Sequence, residues 1–140
     1  MRRVGEYPLW IGTARDARDI KGVLDAEIEV VVDLAMEEPP IAPTRELVYL
    51  RFPLLDGEGN PCWLLRTAVT AVAGLIMARV PTLVACSAGM SRSPSVVAAA
   101  IAMAEARPMG AVLATFPRPL DVSPRLHSEL ASFLELTPDS

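Results

Sequence analysis

The sequence predicts an α/β fold: a single domain with a four- to five-stranded, mostly parallel sheet that helices cover on both faces. Three observations support this prediction. Short runs rich in β-branched residues alternate with longer stretches that have helical periodicity. Residues 29–35 (EVVVDLA) form a nearly continuous apolar run, which is typical of a strand buried on both faces. Residues 81–100 begin as a similar run, pass through small residues and continue as an alanine-rich helical segment.

Length and composition indicate one domain, expected to span residues 1–140. With 51% apolar and 21% charged residues, the chain can bury a core without disulfide bonds. The net charge of −4 and the lack of a basic stripe argue against a nucleic-acid partner. No apolar run is long enough to span a membrane, and no secretory leader pattern is visible. We expect a monomer that does not bind membranes, and the two cysteines, too few for a disulfide framework, favour the reducing cytoplasm as its location.

The first half of the chain predicts three strands and one helix. The strands cover residues 7–12, 29–35 and 46–56, and the helix covers residues 14–25. Thr13 is the expected N-cap of this helix, with Asp16 at the third helical position as in a capping box. Asp33, near the end of the second strand, either caps the loop that follows it or braces the loop after residue 86.

The second half of the chain predicts one further strand and four helices. The strand ends at residue 86, and the helices cover residues 62–79, 95–106, 109–116 and a final segment that begins at residue 124. Gly74, inside the first of these helices, predicts close packing against a neighbour. Ser123 is the expected N-cap of the last helix, with Pro124 at its first position. His127 is expected to be an ordinary surface residue.

The loop at residues 86–92 (CSAGMSR) carries the chemistry that the sequence predicts. It begins with a thiol at Cys86, ends with a guanidinium at Arg92, and lies between a strand and the start of a helix. Backbone N–H groups and the helix N-terminus attract anions, so this loop predicts a site for a dianion such as phosphate. The same field favours the thiolate form of Cys86, which is a nucleophile. The phosphate contacts are expected from the intervening residues as well: Ser87, Ala88, Gly89, Met90 and Ser91.

The motif CSAGMSRSP resembles the active-site loop of the cysteine-dependent protein phosphatases, in particular the small dual-specificity branch. The resemblance implies that Cys86 is the nucleophile and that Arg92 holds two phosphate oxygens. It also implies that the hydroxyl group of Ser93 helps the thiolate to leave. One residue departs from the family pattern, because Ala85 stands where the family usually has a histidine that braces the loop.

Asp56 is the predicted general acid. It ends the third predicted strand and begins a glycine-rich turn, where a carboxylic acid can approach a leaving group. Its setting upstream of Cys86 also resembles that of the general-acid aspartate in the dual-specificity family. The alternative is that Asp56 merely forms an Asp-Gly turn, in which case Glu58 is the next candidate for the acid.

These residues together predict a phosphatase that forms a phosphocysteine intermediate and needs neither a metal nor another cofactor. The expected substrates are proteins that carry phosphotyrosine, phosphoserine or phosphothreonine. Two alternatives remain: a phosphate-binding module with weakened turnover, suggested by Ala85, and a sulfurtransferase of the rhodanese kind. The absence of lysine from residues 87–91 makes a lipid phosphate a less favoured substrate.

The second cysteine, Cys62, has two interpretations. It is either an inert residue at a helix end or the partner of Cys86 in a reversible disulfide bond that protects the nucleophile. The bond requires the two Cα atoms to approach within about 7 Å of each other.

Overall fold

A five-stranded sheet forms the centre of the protein in the computed structural model, which describes residues 1–42, 44 and 46–136. In spatial order the strands are β1 (Arg2–Arg3), β2 (Leu9–Thr13), β5 (Thr82–Cys86), β3 (Val30–Ala35) and β4 (Val48–Leu54). Strand β1 is antiparallel to β2, and the other neighbours are parallel. The predicted sheet is confirmed, although nothing in the sequence indicated the two-residue strand β1. Residues 137–140, which belong to the predicted domain, lie outside the described residues.

The two central strands are buried along their whole length. Every residue of β3 and of β5 is buried, because helices cover both faces of the sheet. This is the environment that a continuous apolar run predicts. Strand β4 is buried only at Leu54, and its earlier residues are more exposed, as expected at the edge of a sheet.

Helices pack on both faces of the sheet, as predicted. One face is covered by α1 (Ala14–Arg18) and α2 (Ile20–Asp25), and the other by α3 (Cys62–Met77), α4 (Arg92–Glu105), α5 (Met109–Leu113) and α6 (Pro124–Leu136). Helix α4 lies at the centre of the larger layer, and its residues from 92 to 102 are all buried. It begins at Arg92, three residues before the predicted start. Among the described residues, no helix is both long enough and apolar enough to cross a membrane.

The predicted helix at residues 14–25 is wrong in one respect, because it is divided into two at Asp19. Thr13 and Asp16 form the expected capping box at the start of α1. Asp19 then ends α1 and caps α2, since its carboxylate accepts a hydrogen bond from the N–H of Gly22 at 3.1 Å. A short acidic side chain that bonds to nearby backbone competes with helical hydrogen bonding. Helical periodicity alone does not reveal this competition.

The expectation for Gly74 is also wrong. Gly74 is exposed, and a Cβ atom added there would meet nothing within 4 Å beyond its own helix backbone. It therefore marks no close contact between α3 and another element. The prediction for Ser123 is confirmed, because its hydroxyl oxygen accepts a hydrogen bond from the N–H of Leu126 at 3.3 Å at the start of α6.

Replacing Gly74 by alanine should stabilise the protein by about 0.5–1 kcal/mol, because alanine has the higher helix propensity and the added methyl group meets open space. Chemical denaturation measures the free energy of unfolding. Gly22→Ala is the matched control, since its Cβ would lie 2.5 Å from the Asp19 carboxylate that caps α2, and it should destabilise the protein. Equal effects of the two substitutions would contradict this explanation.

Candidate active site

The 86–92 loop connects β5 to α4 at the carboxyl edge of the parallel strands. Cys86 is the last residue of β5 and is buried, and Arg92 is the first residue of α4. The loop forms the base of a cavity of about 220 Å³. The cavity is lined by Asp56, Cys86, Ser87, Ala88, Met90, Ser91, Arg92 and Asp121. Most of the predicted site residues therefore meet at one cavity.

Three carbonyl groups of the 86–92 loop are held by donors outside the loop. Ala14 N–H donates to Ser87 O (3.4 Å), Arg2 Nη2 to Gly89 O (2.7 Å) and Asp121 N–H to Met90 O (2.9 Å). In a planar trans peptide the N–H group points opposite to the carbonyl group. The next N–H in each case, on Ala88, Met90 and Ser91, therefore points away from these donors. All three residues line the cavity, so their N–H groups form a cradle for an anion.

Glycine is required at position 89 for two reasons: the backbone conformation of the loop there and the lack of space for a side chain. Its backbone φ angle is +70°, a value that residues other than glycine rarely adopt. A Cβ atom there would lie 3.0 Å from the carbonyl carbon and oxygen of Gly12, at the end of β2. The loop thus packs directly against the backbone of β2, and Gly89 contributes to the cavity through its conformation rather than by lining it.

The Cys86 sulfur lies beneath the cradle. Its Sγ accepts a hydrogen bond from the N–H of Ser93 at 3.4 Å, in the first turn of α4. The N-terminus of this 14-residue helix carries a partial positive charge that favours an anion at the same place. The Ser93 hydroxyl group is fully buried and has no hydrogen-bond partner among the described residues. A buried hydroxyl without a partner is free to donate a hydrogen bond to an acceptor that enters the neighbouring cavity.

Arg92 is held by a carboxylate that the sequence analysis missed. Its Nη1 donates to Glu37 Oε2 at 3.0 Å and to the carbonyl of Leu54 at 2.9 Å, and its Nη2 donates to Glu37 Oε1. Glu37 also accepts a hydrogen bond from the Ser87 hydroxyl group. The hydrogen bond from Arg92 is the main cause that lowers the pKa of Glu37 from 4.5 to about 2. Glu37 is therefore ionised at any pH at which an enzyme is usually assayed.

The bidentate contact with Glu37 leaves one edge of the Arg92 guanidinium for a ligand. A guanidinium has five N–H donors in a fixed plane, and the pair with Glu37 uses the edge between Nη1 and Nη2. The remaining edge, formed by Nε and the second hydrogen of Nη2, has the spacing that two phosphate oxygens need. The Arg92 side chain is only 6% exposed, so its orientation is fixed before any ligand binds.

Asp56 lies at the cavity, on the loop that follows β4. Its Oδ1 accepts a hydrogen bond from the Ser91 hydroxyl group at 2.6 Å, and Ser91 Oγ in turn accepts from the N–H of Ser123 at 2.9 Å. Asn60 closes the same loop, with hydrogen bonds to both backbone groups of Leu55. The carboxyl group is thus tied to the 86–92 loop at the mouth of the cavity.

Glu58, the other candidate acid, does not line the cavity. Its carboxylate pairs with Arg125 at 3.0 Å, and both side chains are about two-thirds exposed, at 68% and 72%. The carboxylate that does join Asp56 at the cavity is Asp121, which the sequence analysis missed. Asp121 lies between α5 and α6, and nothing in its local sequence indicates that position.

Two residues singled out in the sequence, Ala85 and Asp33, are neighbours in the sheet. Ala85 is buried in an apolar cluster, and its register neighbours are Gly12 and Asp33. Asp33 accepts hydrogen bonds from the N–H of Ala35 at 3.1 Å and from the Tyr49 hydroxyl group, so it holds the end of β3 rather than the 86–92 loop. The pKa of Tyr49 is raised to about 12, first because its hydroxyl group is partly buried and second because that group is hydrogen-bonded to Asp33.

The two cysteines are both free and lie in different places. Cys86 is buried at the cavity described above. Cys62 is exposed at the start of α3 and lines a separate cavity between α3 and α6. The structure does not join them, so Cys62 is placed as a free cysteine at a helix end, and the reversible disulfide bond stays an untested alternative.

The fold is similar to that of several proteins of known structure. No family model matches the chain, and no curated protein matches it in sequence. Human DUSP28 superposes with a TM-score of 0.79 at 22% identity over 96% of each chain. A mouse putative dual specificity phosphatase, solved with zinc tungstate, has the same TM-score and identity over 95% of this chain and 85% of its own. Human tyrosine phosphatase-like serine/threonine/tyrosine-interacting protein matches with a TM-score of 0.75 at 17% identity over 92% of each chain.

These similarities define the class of fold. The chain has the fold of the small dual-specificity phosphatases. The expectation from the 86–92 motif is confirmed at the level of fold. The identities are too low to carry activity or substrate over to this chain.

Glu37→Gln should remove a contribution to stability that depends on pH. The pKa of Glu37 is lower in the folded protein than its ordinary value of 4.5, so its charge stabilises the fold fully above about pH 4.5. This contribution is lost as the pH falls toward 2. The difference in the free energy of unfolding between wild type and Glu37→Gln should therefore shrink over that range.

The matched control for this substitution is Glu38→Gln. Glu38 is the next residue in the chain, and its carboxylate makes a long contact, 3.5 Å, with the partly exposed Arg18. If Glu37→Gln and Glu38→Gln show the same dependence of stability on pH, the ion pair between Glu37 and Arg92 is not the source of the pH-dependent stability.

Proposed function

We propose that this protein is a phosphatase that hydrolyses phosphate monoesters on proteins through a phosphocysteine intermediate. The observation that carries the proposal is the cavity in which the Cys86 sulfur, the inward N–H groups of the loop and the held Arg92 guanidinium converge. A thiolate at the base of an anion cradle is suited to attack phosphorus. The fold shared with dual-specificity phosphatases supports the same reaction class.

In the first step, the Cys86 thiolate attacks phosphorus and the bond between phosphorus and the leaving oxygen breaks. The leaving oxygen takes its electron pair and a proton from Asp56, which must be protonated at this point. The negative charge on the three remaining phosphate oxygens is stabilised by Arg92 and the loop N–H groups, which are oriented before the reaction. The products are a free alcohol or phenol and a phosphocysteine.

In the second step, water attacks the phosphorus of the phosphocysteine and the bond between sulfur and phosphorus breaks. Asp56, now ionised, accepts a proton from the water. The sulfur leaves as a thiolate, and the N–H and hydroxyl groups of Ser93 stabilise it, because the N–H already lies 3.4 Å from Cys86 Sγ. Inorganic phosphate is released, and the enzyme returns to its starting state.

The cavity supports a phosphomonoester on a protein side chain as the substrate. Its volume of about 220 Å³ accommodates a phosphate group and part of the side chain that carries it. Arg92 is its one cationic side chain among those described, and Glu37 already pairs with that cation. A substrate with several phosphate groups would find no further positive charge in this cavity, so lipids with multiple phosphates are less suitable.

The alternative of a binding module without turnover rests on Ala85. That residue packs in the apolar cluster behind the loop, and the groups proposed for catalysis do not depend on it. Cys86, Arg92, Ser93 and Asp56 are all present at the cavity or directly behind it. These observations favour the enzyme over the binding module.

Cys86→Ser should abolish hydrolysis of an aryl phosphate and retain binding of inorganic phosphate, because serine fits the cradle but is a much weaker nucleophile at neutral pH. Arg92→Lys should also lose most activity, since lysine cannot make the bidentate contact. Turnover is measured by release of the phenol. Assaying wild type with thiosulfate in parallel tests the sulfurtransferase alternative, and comparable turnover by Cys86→Ser and wild type would exclude the proposed mechanism.

Asp56→Asn should slow substrates with poor leaving groups, such as alkyl phosphates, much more than activated aryl phosphates. The reason is that only a poor leaving group has to be protonated by the acid in the transition state. Such general-acid catalysis typically raises the rate by about 10²–10⁴-fold. Glu58→Gln is the matched control, because Glu58 lies on the same loop and pairs with Arg125. Dependence on the leaving group in Glu58→Gln, and none in Asp56→Asn, would reverse the assignment.

A further inference from the structure

Arg2 connects the 86–92 loop to a distant part of the chain. Its Nη2 donates to the carbonyl of Gly89 at 2.7 Å, and its Nη1 donates to the carbonyls of Pro117 and Pro119 at 2.9 Å each. Three carbonyl groups from two segments thus meet at one partly buried guanidinium. Hydrogen bonds from a charged donor are stronger than those between neutral groups, so this is a substantial anchor.

The sheet explains why Arg2 reaches the loop. In the antiparallel pair of β1 and β2, Arg2 lies opposite Ile11, next to Gly12. Gly12 is the residue whose backbone meets Gly89 so closely. Arg2 therefore lies close to the position at which the 86–92 loop contacts β2.

The neighbouring Arg3 has a different environment. Consecutive residues of a strand point to opposite faces. The Arg3 Nε donates to the carbonyl of Tyr7 at 3.1 Å, and its guanidinium lies 5.4 Å from the centre of the Trp10 ring. Two adjacent arginines on the same strand thus have separate contacts, and only Arg2 contacts the loop.

The contact from Arg2 determines the direction of one N–H group of the cradle. Because the peptide between Gly89 and Met90 is planar, fixing the carbonyl of Gly89 turns the N–H of Met90 the opposite way. The segment that Arg2 also holds, at Pro117 and Pro119, leads directly to Asp121, whose N–H fixes the carbonyl of Met90. One guanidinium therefore supports the peptide bonds on both sides of Met90.

We propose that Arg2 is a positioning residue for phosphate binding, which orients the N–H groups of Met90 and Ser91 toward the phosphate without touching it. This inference rests on the proposed function. Lysine has the same charge, but it presents a compact ammonium group that cannot span carbonyls from two separated segments as the guanidinium fork does. The geometry of the guanidinium, rather than its charge, is therefore what the loop requires.

The test compares three single variants with wild type: Arg2→Ala, Arg2→Lys and the matched control Arg3→Ala. Two properties are measured: kcat and KM for an aryl phosphate, and the affinity for inorganic phosphate by titration calorimetry. Arg2→Ala should lower kcat by about tenfold to a hundredfold, as expected for a misplaced reacting group, and should weaken phosphate binding. Arg2→Lys should stay well below wild type in both properties, and Arg3→Ala should behave like wild type.

Thermal unfolding and circular dichroism of each variant separate a loss of positioning from a loss of folding. If Arg2→Ala does not fold, Arg2→Lys decides, since it keeps the charge and the long side chain. The proposal is overturned if Arg2→Lys matches wild type, because charge alone would then suffice. It is also overturned if folded Arg2→Ala and Arg3→Ala have the same kcat and the same phosphate affinity.

The same experiment distinguishes failure of this inference from failure of the proposed function. If wild type hydrolyses the aryl phosphate and Arg2→Ala does so equally well, only the role of Arg2 is wrong. If wild type binds inorganic phosphate without hydrolysing the ester, the phosphatase proposal is wrong and the phosphate affinities of the variants still decide the role of Arg2. If wild type neither hydrolyses nor binds, both proposals fall.

Discussion

The outward hydrogen bonds of the 86–92 loop hold the rest of the site in place. An anion cradle needs several N–H groups that point to one centre, and a chain reaches that conformation only if the corresponding carbonyl groups find partners elsewhere. Here the partners come from three separate parts of the chain: strand β1, the start of α1 and the segment before α6. The fold therefore has to be complete before the cradle exists, which couples the conformation of the loop to the packing of distant elements.

The parts of the structure that the sequence predicted best are those with a local cause. Strands β3 and β5 follow from apolar runs, and the capping box of α1 follows from Thr13 and Asp16. The 86–92 loop is recognisable because its glycine, its thiol and its guanidinium all lie within seven consecutive residues. Asp56 was predicted as the acid because it begins a glycine-rich turn at the end of a strand, in a setting that resembles that of the general-acid aspartate in the dual-specificity family.

The residues that the sequence did not reveal act over long distances along the chain. Glu37 follows β3 in a segment that the prolines mark only as a loop, yet it holds Arg92. Its position just after the carboxyl end of a central strand was the one available signal. Arg2 and Asp121 gave no signal at all, since each acts on the 86–92 loop from an element whose packing the local sequence does not specify.

Ala85 is the residue at which the chain departs from the motif that its loop resembles. The phosphatase motif that the 86–92 loop resembles usually has a histidine at this position, and here the position is filled by a methyl group in the apolar cluster that contains Ala17 and Leu83. Asp33, its neighbour in the sheet, bonds instead to Tyr49 and to the backbone of Ala35. In this chain the carbonyl groups of the loop are held by donors at its outer side, namely Ala14, Asp121 and Arg2, of which Arg2 is the charged one. A loop held from outside keeps its N–H groups oriented without a buried imidazole, so the absence of the histidine is compatible with a working cradle.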